Sequence, residues 1–145
     1  MTALVASTAA CGSSSRGVAT DPNIPQAGPV TGAHVSLVSM TGGGGRVSPR
    51  AALLDTDAHV RAFAAQFGPP AMRNRIRAAV GQARTRGQAV YGAVVALGCD
   101  RPPGAVVSLD GGGAVVITPR DVASPLPECL AAVTTVAIAS VPGAD

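Results

Sequence analysis

The sequence predicts an α+β domain, an antiparallel sheet of about five strands with two short helices on one face and one disulfide. Three observations carry this. Two long Val- and Ala-rich runs, 89–97 and 131–141, are apolar at both parities, the pattern of strands covered on both sides. Two short β-branched runs lie between them, 105–109 and 114–118, joined by Asp110-Gly111-Gly112-Gly113; glycines tolerate the positive φ of hairpin turns. Upstream, two stretches repeat their apolar residues at helical spacing. A chain of 145 residues has room for one domain with a small core.

Met1 to Ala10 is small and apolar, and Cys11 follows. This segment resembles the back half of a bacterial lipoprotein signal peptide, in which a small-residue lipobox precedes a cysteine that is lipidated. Thr8-Ala9-Ala10-Cys11 matches at the two small positions and departs at Thr8, where Leu is usual. The basic n-region is missing and the apolar run is short; a start upstream of Met1 would supply both. The resemblance implies that 1–10 is a truncated signal region, that Cys11 carries lipid, and that the protein sits on the outer face of the cell membrane. Secretion without an anchor, or an Ala/Ser tail in the cytoplasm, are the alternatives. Ser13 to Thr31, with Pro22, Pro25 and Pro29, cannot bury a core, so 11–32 reads as a disordered tether and 33–143 as the domain.

His34 to Met40 alternates, with Val35 and Leu37 on one parity, and reads as the first strand. Gly42 to Gly45 before Arg46 suggests a phosphate loop, but the Lys and the following helix of that motif are absent; a mobile surface loop is expected. Asp55 or Thr56 can cap a helix in which Val60, Phe63, Ala64 and Phe67 share one face, with Gly68 as its end. Pro69 and Pro70 suit the start of a second helix, with Met72, Ile76, Ala79, Val80 and Ala83 as its apolar stripe.

That second helix carries Arg73, Arg75, Arg77, Arg84 and Arg86, and no acid lies between Asp57 and Asp100. One reading is a basic patch for anionic surfaces, with Arg73, Arg77 and Arg84 as contacts. The other is an exposed polar face written in Arg, since all 11 basic residues are Arg.

Read as a meander, the four strands of 89–141 bring Cys99 and Cys129 to the same end of the sheet, and a bridge there is expected; two buried free cysteines are the alternative. Three cysteines leave Cys11 unpaired. Asp100 and Arg101, beside Cys99, form a candidate binding rim.

Candidate chemistry is sparse. His34 and His59 lie on separate elements, and no CxxC or HxxxH pair offers metal-ligand spacing. No cofactor is expected. A thiol enzyme or small hydrolase would need a reduced Cys99 near a histidine. Aromatic residues make up 2% of the chain and the net charge is only +3, which argues against a nucleic-acid or glycan platform. No apolar run reaches the roughly 20 residues of a membrane span.

Two wider resemblances rest on Gly98-Cys99-Asp100-Arg101-Pro102-Pro103-Gly104 and on Pro127-Glu128-Cys129 with Val133 to Ala137. Over most of its length the chain resembles small secreted lipoproteins of high-GC actinobacteria, which implies a location and no activity. Residues 87–142 are similar to the PrcB-type domain of bacterial protease complexes, an interaction module. That family's turn carries Pro-Thr-Gly-Gly-Tyr where this chain has Pro102-Pro103-Gly104-Ala105, so the resemblance implies topology alone. The expected function is a non-enzymatic binding module of the cell envelope, with an envelope protein or ligand as partner and without nucleic acid.

Overall fold

The computed structural model describes residues 28–143. The elements run β1 (Gly28–Pro29), β2 (His34–Thr41), β3 (Ala52–Leu53), α1 (Asp57–Ala64), α2 (Pro70–Arg84), β4 (Ala89–Gly98), β5 (Ala105–Leu109), β6 (Val115–Pro119) and β7 (Val133–Val141). They form two antiparallel sheets, ordered β2-β7-β4-β3 and β1-β5-β6. The α+β class is as predicted, but the division into two sheets is not. β4 pairs directly with β7, and the β5–β6 hairpin leaves that sheet to cover its far face.

The physical reason lies in the two long strands. β4 and β7 are apolar on both faces and sit at the centre of the four-stranded sheet. One face packs under the helices, through Val90, Val94, Val136 and Ile138 against Val60, Phe67, Met72, Ile76 and Val80. The other face, through Ala93, Val95, Ala137 and Ala139, meets Val107, Val115 and Ile117 of the hairpin. A sheet with two apolar faces needs two covers, and the two helices supply only one. β4 and β7 are antiparallel neighbours, so the end of one and the start of the other meet, and Cys99 bonds Cys129 there.

Two short segments link the sheets at their edges. Gly28–Pro29 pairs with β5, and Val30 N–H donates to the Val107 carbonyl. The same chain then bends at Gly32, where φ is +77°, to run as β2 beside β7. The tether expected through residue 32 is therefore corrected from Gly28 onward, because those backbone groups complete the edge of β5. Cys11 and the rest of that segment lie outside the described residues. On the opposite side, Ile117 N–H donates to Pro49 and Ala51 N–H to Val115, while Ala52–Leu53 pairs with β4. Strands that turn between sheets in this way form the corners of packed β-structures.

The glycine run is also corrected. Gly43 is buried, Gly44 bridges to Phe67, and the Gly44 carbonyl accepts from Thr134 Oγ1. At Gly45 φ is +88°, and a Cβ would stand 2.7 Å from Phe67 Cε1. These glycines are held against the core by their lack of side chains. α1 is capped by Thr56, whose hydroxyl accepts from His59 N–H. It ends at Ala64 with Ala65 as C-cap, before the expected Gly68, because Phe67 leaves the helical path to reach the core and pair with Gly44.

Candidate functional site

At the end of β4 the chain passes through Cys99 into Asp100 and Arg101. Cys99 is bonded to Cys129, with a Cα–Cα distance of 5.2 Å. Asp100 Oδ2 accepts from Leu126 N–H at 2.7 Å. Bridge and carboxylate together fasten the long connection from β6 to β7 at two points. Leu126 (58% exposed) and Leu130 (fully exposed) project from that connection, and Leu97 of β4 is also exposed. Asp100 therefore has a structural partner, while Arg101 is exposed and turns to the flank of β2. Sequence reasoning found Asp100 and Arg101 through their place beside Cys99. It missed the leucines, because an exposed Leu carries no periodic signal in a loop.

The arginines of α2 divide by helical spacing into two flanks and a cap. Arg73 folds back on the carbonyls of Phe67 and Gly68 and satisfies the exit from α1. Arg84 donates to Asp57 at 2.8 Å and to the Leu54 carbonyl at 3.0 Å. Its guanidinium holds the Asp57 carboxyl below the usual carboxylate range. Arg77 donates to Asn74 Oδ1 and lies with Arg61 and Arg84 along the groove between the helices, about 350 Å³ in volume. Arg75 lies on the opposite flank, beside β2, as does Arg86, which the sequence placed on this helix but which follows its end at Arg84 and C-cap Thr85. Of the three arginines expected to contact an anionic surface, the fold engages Arg73 and Arg84 in structural bonds and leaves Arg77 at a groove.

His59 Nδ1 faces Asp55 Oδ1 near the start of α1, and this hydrogen bond lowers the Asp55 pKa. Both side chains are about half exposed. His34 stands at the start of β2, and its ring is not brought to His59 or to the disulfide by any hydrogen bond among the described residues. Among the described residues no three His, Cys, Asp or Glu side chains gather into a metal-binding group. Asp110 caps the β5–β6 turn: Oδ1 accepts from Ala114 and Gly112 N–H at 2.9 Å, and Oδ2 takes Arg50 at 2.8 Å. These bonds, with that from Ala114 foremost, lower its pKa.

No family model, curated protein or solved structure matches this chain. Among the described residues no helix is long and apolar enough to cross a membrane.

Proposed function

We propose that the protein is a non-enzymatic binding module of the cell envelope, held at the outer face of the membrane by lipid on Cys11, and that it presents the disulfide-clamped loop to an envelope protein. The observation that carries this reading is the loop itself. It is cross-linked at Cys129 and pinned by Asp100, yet it points Leu126 and Leu130 into solvent. A restrained loop loses little conformational entropy on binding, so its apolar residues contribute more of their burial to affinity. The bridge also suits an oxidising compartment. A thiol enzyme built on Cys99 would require this bond to be reduced.

The test places a photo-crosslinking amino acid at Leu126 or Leu130 in the native host, with Ala58 on α1 as a comparison site. One discrete adduct from the loop sites, absent from Ala58, is expected. No adduct, or the same adduct from every site, overturns the reading. Intact mass with and without reduction tests the anchor and the bridge: a chain beginning at Cys11 with a diacylglyceryl mass is expected, and an unmodified chain retaining Met1 rejects the anchor.

A second reading, an anionic-surface binder, has the groove of Arg61, Arg77 and Arg84 in its favour, where one carboxylate, Asp57, stands among three guanidinium groups. Vesicles rich in anionic lipid should then bind, more weakly in salt and after R61E/R77E. Binding indifferent to both removes this reading.

A further inference from the structure

We propose that the outer edge of β2 receives an extended acidic peptide as an added strand. The proposal goes beyond the clamped-loop reading, because it concerns a different surface and names the chemistry of its occupant.

β2 is an edge strand of the four-stranded sheet. The direction of its backbone groups follows from two bonds. Gly42 N–H donates to the Ala132 carbonyl, in register with the β2–β7 ladder. Backbone groups alternate sides along a strand, so the even-numbered residues turn to β7. Val35, Leu37 and Ser39 therefore direct N–H and C=O outward. Arg75 confirms the direction by reaching the Ser39 carbonyl from outside at 3.4 Å. Among the described residues no other backbone group pairs with that row.

The space beside the row is a cleft. β5 is paired with the incoming chain as far as Val30, which bonds Val107. After Gly32 the chain runs beside β7, and among the described residues the start of β5 has no partner on that side. The gap between β2 and β5 is about 600 Å³, with Val35 and Leu37 on one wall and Pro103, Gly104 and Ala105 on the other. By the same alternation Ala105 turns its backbone groups into the gap. A strand laid there would meet open backbone on both sides. In strand addition the main chain supplies affinity and alternate side chains supply specificity.

Charge identifies the occupant. Arg75 and Arg101 border the helix side of the β2 edge, Arg120 the β5 side, and Arg86 the region near His34. Among the described residues no carboxylate lines any of these three surfaces. An acidic peptide is attracted and a basic one repelled. The same arginines oppose a second copy, since pairing two β2 edges would set like charges together. Natural proteins usually protect an edge strand with Pro, an inward charge or a cover. β2 contains neither Pro nor a formal charge within His34–Thr41 when His34 is neutral, so its flanking arginines both guard it and select its ligand.

The test uses the full chain and a fluorescent octapeptide alternating Val and Glu, with Val/Ser and Val/Lys peptides for comparison. The Val/Glu peptide should bind roughly tenfold more tightly than Val/Ser, and its advantage should fade in salt. R75E/R101E should reverse the order of the Glu and Lys peptides while heat unfolding shows the variant still folded. N-methylating alternate amides of the Val/Glu peptide should abolish binding for one parity and spare it for the other. Hydrogen exchange at Val35, Leu37 and Ser39 should be fast in the free monomer and slow with peptide. Binding indifferent to charge or to the parity of N-methylation overturns the proposal. Slow exchange in the free monomer would assign the edge to the chain's own segment, and slow exchange accompanied by dimerisation to a second copy; either overturns the acidic partner. Crosslinking through Leu126 and Leu130 tests the loop separately, so one reading can fail without the other.

Discussion

Gly42 and Gly45 share positive φ, +65° and +88°, but meet different surroundings. Nothing lies within 4 Å of a Cβ at Gly42, whereas at Gly45 it would press on Phe67, which is 1% exposed. Gly42→Ala should cost about 1 kcal/mol through backbone strain alone. Gly45→Ala should cost about 2–4 kcal/mol, since crowding of a packed core adds to the strain. Denaturant unfolding of the two variants checks this, and equal costs would mean that the glycine run does not pack on Phe67. Four glycines in a row could be read in the sequence as a break in regular structure. Their role against the core could not, because it depends on a ring more than 20 residues away along the chain.

The β5–β6 hairpin shows the same division among elements. Its strands and glycine turn were legible from β-branched runs around Asp110-Gly111-Gly112-Gly113, and the structure pairs them in register from Ala105↔Pro119 to Leu109↔Val115. The Asp110 pKa is lowered in the fold, so its contribution to stability is present above the ordinary value of 3.8 and is lost as pH falls through the depressed folded value. Asp55 and Asp57 act in the same direction. The melting temperature should therefore decline as pH falls below that ordinary value, and less steeply in Asp110→Asn. An identical decline in both proteins would remove Asp110 from the account. β3 escaped sequence reading because two residues, Ala52–Leu53, are too few to display a period.

Over the whole molecule the Cys99–Cys129 bridge closes a separation of 30 residues. Removing it as C99S/C129S should lower stability by about 3–4 kcal/mol in the chain-entropy model. Secondary structure should persist, because the β4–β7 ladder already holds both ends of that loop together. A calorimetric or denaturant midpoint unchanged from the bridged protein would contradict this. If the domain unfolds without the bridge, the ladder does not suffice to align the two ends.

The sequence by itself determined the α+β class, both helices and the long central strands, since each rests on local periodicity, and strand directions alone brought Cys99 and Cys129, 30 residues apart, to one end of the sheet, where the structure joins them. It also located Asp100 and Arg101 beside the bridge. Only the tertiary structure decided that β4 and β7 are neighbours, that the hairpin covers their second face, and that the arginines of α2 part into two flanks. These outcomes depend on which apolar surfaces find one another, and alternation within a strand leaves its neighbour unspecified. The open edge of β2 belongs to that second group: its residues read as an ordinary strand, and their availability follows from where β1, β5 and β7 lie.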